Sequence, residues 1–257
     1  MTNAQTAVDW QSWLRRWDAQ QTAYLPDREA RFTAMLDVLD VLLGEQFVAV
    51  DLACGPGSIS QRLLARFPKA RTVAVDLDPA LLALGRGALG MMDGRLRWVE
   101  ADLVGDDWTA KLGEEQVDAV LSTTALHWLP GGALLGLYRR IGEVVRPGGI
   151  FLNGDNMAFA PGMPSFARVA NAVRERQEAQ AFRGGDAEDW RSWWDAFAQE
   201  PALGELFTER ERRFAERWPA REAPIWALHE AALRDAGFHE VGVIWQRLGN
   251  RVLMGVR

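Results

Sequence analysis

The sequence predicts an α/β fold: a seven-stranded, mostly parallel, doubly wound sheet with a helical insertion after the fifth strand. Three observations carry this. Short apolar, β-branched runs alternate with helical patterns between Phe47 and Asn153, the signature of parallel strands covered by helices on both faces. The first run, "FVAV", passes through the glycine turn "DLACGPGS" (51–58) directly into the helical "ISQRLLARF". Near its end the chain reads "EVGVIWQRLGNRVLMGVR", two strands about a Gly-Asn turn that would close the sheet as an antiparallel hairpin.

In chain order, residues 1–43 are expected to form an N-terminal helical cap. Trp10, Trp13, Leu14 and Trp17 fall on one face by i, i+3, i+4, i+7 spacing, and the chain turns at Pro26. The core then spans 44–154 and 223–257. Its parallel strands are "FVAVDL", "TVAVDL", "LRWVEAD", "VDAVLST" and "GGIFLNG", and its last helix is "IWALHEAALRDAGF", stopped by Gly237. Residues 155–222, opening on the breaker-rich "MAFAPGMP", form a helical lid. Seven of the twelve tryptophans (Trp10, Trp13, Trp17, Trp190, Trp193, Trp194, Trp218) lie in the cap and the lid. Either they pack on the sheet domain, or cap and lid together roof an apolar chamber at the carboxyl ends of the strands, where open α/β sheets bind ligands. The run "TERERRFAERW", with Arg210, Arg212, Arg213 and Arg217, reads as a solvated helix face.

A net charge of −6 over 257 residues argues against nucleic acid or anionic lipid as a partner, since both demand a basic surface. A small-molecule partner is expected, and a homodimer is compatible with the sequence. The segment Ala119 to Tyr138 is uncharged but broken by His127, Pro130, Gly131 and Gly132, so no uniform span of the ~20 apolar residues that a membrane helix needs is present. "MTNAQTAVDW" carries no secretory signature, and a cytoplasmic location is expected. One cysteine and three histidines, His127, His229 and His239, give no metal-site spacing. His229, His239 and Cys54 are read as structural.

The glycine turn narrows the ligand. Glycine lets a backbone approach a ligand closely, but "GPGSIS" lacks the third small residue of a dinucleotide fingerprint, because Ser60 stands there. Asp51 at the strand end would repel a pyrophosphate and suits a ligand bringing an ammonium group. Asp76 ends the second strand 25 residues later, where an acid accepts hydrogen bonds from a ribose diol. Asp102, after the third strand in "VEADL", can accept from an exocyclic amine. Ammonium, ribose and adenine together describe S-adenosylmethionine. A turn-capping role for Asp76 and Asp102 is the structural alternative.

With "DLACGPGS", "VAVDLDP", "VEADL", "STTALHWLP" and "RPGGIFLNGD" in this order, the chain resembles the class I S-adenosylmethionine-dependent methyltransferases over residues 47–154 and 223–257. The resemblance implies a Rossmann-like sheet and a glycine loop of Ala53, Gly55 and Gly57 against the amino-acid part of the cofactor. It implies that Asp76 holds the ribose, that Leu77 and Leu103 lie near the adenine and that Asp102 meets its amino group. The backbone at Thr123 would approach the methionyl amine, and Arg28 or Arg31 would pair its carboxylate.

"STTALHWLP" places His127 and Trp128 after the fourth strand, beside the expected transferable methyl. Similar Leu-His/Gln-Trp-Leu segments occur in methyltransferases acting on carboxylic acids, including trans-aconitate, salicylate and juvenile-hormone acid. The indole N–H is a donor only, which suits an anionic acceptor. Expected, then, is methyl transfer to a carboxylate or hydroxyl oxygen. Transfer to nitrogen or carbon, a catalytically silent S-adenosylmethionine-binding protein and a nicotinamide-dependent oxidoreductase are the alternatives.

Overall fold

The computed structural model describes residues 8–105, 107–185, 187–215, 217 and 223–257. Five strands run parallel: β1 (Val48–Leu52), β2 (Arg71–Asp76), β3 (Leu96–Glu100), β4 (Val117–Thr123) and β5 (Val145–Asn156). The pair β6 (Glu240–Arg247) and β7 (Asn250–Val256) is antiparallel and docks through β7 onto β5. The order β3-β2-β1-β4-β5-β7-β6 matches the expected seven strands. It reverses its winding between β1 and β4, which opens a crevice at the carboxyl ends of those two strands. The hairpin turn differs by one residue from the sequence expectation. It is made by Leu248, at φ 52°, with Gly249, and Asn250 already pairs with Asn156 inside the ladder. Likewise β5 continues past its expected end at Gly154, so Asp155 and Asn156 belong to the sheet.

Strand alternation supplies two apolar faces. Val50, Leu52, Val73 and Val75 pack with Leu137, Tyr138 and Ile141 of α5 (Gly131–Val144) and Leu233 of α9 (Trp226–Asp235). Ala49, Ala74, Leu121 and Leu152 meet Phe32, Met35 and Leu39 of α2 (Arg28–Leu43) and Ile59 and Leu63 of α3 (Ser58–Arg66). A third cluster sits outside these layers. In it Trp13, Leu14 and Trp17 of α1 (Trp10–Tyr24) meet Ala80, Leu81 and Leu84 of α4 (Pro79–Leu89) and Trp193, Trp194 and Phe197 of α7 (Trp190–Gln199). Trp13 meets Trp193 edge-on at 5.4 Å, and Trp193 stacks on Phe197 at 5.2 Å. Each such aromatic pair adds about 0.5–1.5 kcal/mol beyond burial. Trp13, Trp17, Trp193 and Trp194 are therefore packing residues that fasten the first helix and the insertion to α4. Trp218 lies outside the described residues.

The insertion also holds α6 (Pro164–Ala181) and α8 (Gly204–Phe214). No described residue of α6 is buried, and Phe166 and Val169 are exposed on it. Among the described residues no helix is long and apolar enough to cross a membrane.

Candidate functional site

The carboxyl edge of the parallel strands gathers the acids singled out in the sequence, and each is there because it ends a buried apolar strand. Asp51 is almost fully buried, and its Oδ2 accepts from the Ser60 hydroxyl at 2.7 Å. Among the described residues its Oδ1 is buried without a partner. Burial pushes its pKa up to about 7 against the Ser60 hydrogen bond, and nearby Asp76 adds to the rise. Ser60, the residue that breaks the dinucleotide fingerprint, is thus what holds this carboxyl in place.

The turn after β1 is left-handed at three residues: Ala53 at φ 54°, Gly55 at 54° and Gly57 at 83°. It is pinned to β2 at two points, because the Cys54 N–H donates to the Val75 carbonyl at 3.1 Å and the Gly55 N–H to Asp76 Oδ2 at 2.7 Å. Gly57 has a structural need besides its φ. A Cβ there would come within 2.6 Å of the Trp98 ring, so the absence of a side chain makes room for a tryptophan rather than for a ligand alone. Cys54 is buried, and burial pushes its thiol pKa up, as befits a packing residue.

Asp76 caps two backbone groups, Gly55 N–H and Asp78 N–H at 2.8 Å, and burial raises its pKa. Each carboxylate oxygen keeps a further lone pair for a ligand hydroxyl. Asp102 accepts from the Val104 N–H at 2.9 Å, and Leu103 packs half-buried against the α5 side of the core. Both acids therefore make the turn-capping bonds expected of the structural alternative.

The arginine run corrects the sequence expectation of a solvated face. Arg210 and Arg213 lie at i and i+3 on one face of α8, that face turns inward, and Arg217, past the helix end at Phe214, turns the same way. Arg210 Nε donates to Asp78 Oδ2 at 2.9 Å, and Arg213 to the Leu77 carbonyl at 2.9 Å and to Glu100 at 2.7 Å. Arg217 pairs with Asp102. Only Arg212 is exposed, held to Glu209 within the helix. The physical reason is a row of carboxyl and carbonyl oxygens at the ends of β2 and β3. Burial pushes Asp78 up to about 6, with Arg210 opposing; burial also pushes Asp102 up, but the Arg217 hydrogen bond and charge together with backbone N–H donors bring it below its ordinary value. A cavity of about 580 Å³ lies against Arg212, Arg213, Ala215 and Arg217.

At the other half of the edge, Thr123 ends β4 opposite Gly154, and Thr124 follows at φ 56° with its N–H on the Gly154 carbonyl at 2.9 Å. The chain then forms a short 3-10 turn, Leu126–Trp128. There His127 meets a residue that sequence reasoning missed. Its Nδ1 lies 2.6 Å from Asp155 Oδ1, and its backbone N–H donates to Asp155 Oδ2 at 2.9 Å. Asp155 is fully buried, yet His127 and Arg31 hold its pKa below the ordinary value against that burial. Burial would lower His127, but the Asp155 charge and hydrogen bond leave its pKa raised. With Nδ1–H committed to Asp155, Nε2 is the atom left to act. The signal for Asp155 was available: like Asp51 and Asp76, it is an acid closing a buried apolar strand, in "GGIFLNGD". Trp128 is 65% exposed, its ring 4.8 Å from that of His127.

The two N-terminal arginines separate. Arg31 is fully buried, donates to Asn250 Oδ1 at 3.1 Å and to the Thr124 hydroxyl, and is pushed down to about 10 by burial, with Asp155 opposing. Arg28 pairs at 2.8 Å with Asp18, which also accepts from Ser58 just past Gly57. Arg28 thus stands beside the glycine turn, and Arg31 beside the His127–Asp155 pair. His229 is buried on the Tyr138 hydroxyl, and burial pushes its pKa down to about 4, as a structural histidine. Among the described residues no cluster of metal-ligating side chains occurs.

Comparison with known proteins agrees with this geometry. A family described as "Methyltransferase domain" matches residues 49–149. Trans-aconitate 2-methyltransferase of Azoarcus sp. is 36% identical over 137 residues, covering 52% of this chain and 48% of that protein. Its namesake from Methylobacterium nodulans is 32% identical over 183 residues, covering 66% of each. The chain thus spans about half to two thirds of the length of these curated relatives. An O-methyltransferase family protein from Burkholderia thailandensis superposes with TM-score 0.59 at 19% identity, covering 99% of this chain and 65% of its own. Human N-acetylserotonin methyltransferase, solved with S-adenosylmethionine, gives 0.54 at 14% identity, covering 100% and 60%. These structural likenesses speak for the fold.

Proposed function

We propose, from the premise that this chain belongs to the class I S-adenosylmethionine-dependent methyltransferase family, that it transfers a methyl group to an oxygen of a small carboxylic acid. The observation that carries the reading is the His127–Asp155 pair beside buried Arg31, at the carboxyl ends of β4 and β5. The names of the sequence relatives, which act on trans-aconitate, point to the same acceptor class.

The residues of the first three strands fit the cofactor. The unpartnered Oδ1 of Asp51 is a buried acceptor of the kind an ammonium group satisfies. Asp76 retains lone pairs for a ribose diol, with Leu77 beside it, and Asp102 with Leu103 stands where an adenine edge would lie. Ala53, Gly55 and Gly57 shape the turn, Thr123 offers backbone, and Arg28 or Arg31 meets the carboxylate. Bound there, S-adenosylmethionine supplies an electrophilic methyl on sulfonium.

What remains for the protein is to hold the acceptor oxygen in line with that methyl, ~3–3.5 Å away, and to exclude water. A carboxylate is already ionised at neutral pH and needs no base. His127, its charged form favoured by Asp155, attracts and orients that anion through Nε2, and Trp128 N–H is a second donor. For a hydroxyl acceptor the same Nε2 would take the proton, with Asp155 stabilising the imidazolium. The insertion expected from residue 155 leaves the sheet only after Asn156, and α2 of the expected 1–43 cap packs on the sheet itself, so the lid over the core is the insertion past Asn156 together with α1. The α8 arginines are the fastening.

The test is a panel of carboxylic acids and phenols scored for methyl transfer by mass spectrometry, beside calorimetry of S-adenosylmethionine on wild type and Asp76→Ala. Methyl esters and weaker binding by the variant, about 1.5–3 kcal/mol per lost charge-assisted hydrogen bond, are expected. Phenol products alone, or unchanged affinity, would remove the corresponding assignment.

A further inference from the structure

Arginine is almost never fully buried unless paired, because an uncompensated charge in a protein interior is costly. Arg251 departs from this. It is 7% exposed, its Nε is buried without a partner, and among the described residues it has no carboxylate or carbonyl on any nitrogen. Its guanidinium carbon lies 5.0 Å from the Phe159 ring centroid, and burial holds its pKa below the ordinary value. Phe159 in turn meets Phe166 of α6 at 5.7 Å.

The position of this charge matters more than its burial. Arg251 on β7 is the ladder partner of Asp155 on β5. Paired residues of neighbouring antiparallel strands have Cα atoms about 4.5–5.5 Å apart and point to the same face. Arg251 therefore leaves the sheet on the same face as Asp155, the residue that holds His127, and carries its guanidinium over the Phe159 ring. The next titratable group, His229, is neutral at pH 7 and feels the guanidinium as a charge that lowers its pKa further. Among the described residues no acid pairs with the fork.

We propose that Arg251 anchors a second carboxylate of the acceptor, so that one end of a small polyacid is presented to His127 while another sits in the Arg251 fork above Phe159. This rests on the carboxylic-acid reading above and narrows it: the acceptor carries at least two anionic groups. A bidentate guanidinium–carboxylate pair both satisfies the buried charge and fixes which oxygen faces the methyl. Specificity follows from the same group. A monoacid leaves the fork unpaired, which a site built around a buried polar group rejects strongly.

The test uses Arg251→Met, which replaces the charge by an apolar chain of similar length, and Arg251→Lys. Both are checked for an unchanged fold by circular dichroism. Binding is measured by calorimetry in saturating S-adenosylhomocysteine, with tricarballylate as the polyacid and butyrate as the monoacid. We expect Arg251→Met to weaken tricarballylate at least tenfold, Arg251→Lys to recover part of the loss, and butyrate to change less than twofold. In turnover, KM for the polyacid should rise with kcat little altered. Equal loss for both acids, unchanged tricarballylate binding in Arg251→Met, or a wild type that binds neither acid overturns the proposal. Arg251-dependent binding without methyl transfer would leave the anchor standing and remove the acceptor reading. Polyacid methylation indifferent to Arg251 would do the reverse.

Discussion

Asp155 grips His127 twice, by the ring at 2.6 Å and by the backbone N–H at 2.9 Å, so one carboxylate fixes both the tautomer and the place of the imidazole. Asp155 and Arg31 are the charged groups that face this ring, one raising its pKa and the other lowering it. If the acceptor is a carboxylate, the imidazolium is the attracting form. Then kcat/KM holds below the raised His127 value and falls as pH climbs through it. Asp155→Asn should move that limb toward lower pH and cut kcat/KM by about 10²-fold, with S-adenosylmethionine affinity retained. A hydroxyl acceptor reverses the sign, activity rising with pH as the ring loses its proton. A pH–rate profile unmoved by Asp155→Asn would reduce Asp155 to a packing role.

The same pair has a stability signature. Asp155, depressed in the fold, contributes above the ordinary carboxylate value and loses this as pH falls through the depressed one. His127, raised, contributes fully below its ordinary value and loses this as pH rises through the raised one. The melting-temperature difference between wild type and Asp155→Asn should therefore peak between roughly pH 4 and 6.5. A difference constant from pH 4 to 9 would contradict it.

Asp51, at about 7, is half-protonated near neutrality before any ligand arrives. An ammonium partner favours its ionised form, so S-adenosylmethionine binding at pH 6 should release protons, and affinity should grow between pH 6 and 8. Asp51→Asn should flatten that dependence and cost about tenfold in affinity or more. Calorimetry in two buffers of different ionisation heat reads the proton count directly, and none released at pH 6 would sink the ammonium assignment.

Arg217 pairs with Asp102, the acid proposed to meet the adenine amino group. Removing the arginine should then ease cofactor entry. Arg217→Ala is expected to bind S-adenosylmethionine as tightly as wild type or severalfold more tightly, and to exchange amide hydrogens faster along α8. Weaker binding would mean that Arg217 assists the cofactor rather than competing with it.

Trp128 stands largely in water beside the His127 ring, so its removal should not disturb the core. Trp128→Phe should keep cofactor affinity while lowering kcat/KM by roughly tenfold, about 1.4 kcal/mol of transition-state binding. Full activity in this variant would assign the indole to neither acceptor nor chemistry.

The strands were legible because burial on both faces writes itself as uninterrupted apolar runs, and Asp51, Asp76 and Asp102 because an acid at such a run's end is conspicuous. Trp13 and Trp17 were legible as a helix face but not as partners of Trp193 and Trp194, since that contact joins segments far apart in the chain. The α8 arginines were misjudged for an instructive reason. Helical spacing is ordinarily read from apolar residues, and here the inward stripe is guanidinium, matched to oxygens on β2 and β3 that no local pattern announces. Arg251 escaped notice likewise, its neighbours being set by a ladder with β5 and by the distant Phe159.

The hydrogen bond from Arg31 to Asn250 joins residues 219 positions apart, and β7, which carries Asn250 and Arg251, lies between β5 and β6. Closing so long a loop is entropically costly and slow, so the end of the sheet that carries His127, Asp155 and Arg31 is expected to form only when the whole sheet has registered. Two denaturation curves should record this. Carboxylate binding and sheet structure are expected to vanish together in urea, while the α6–α8 segment lets go earlier, which makes the polyacid itself a probe of global folding.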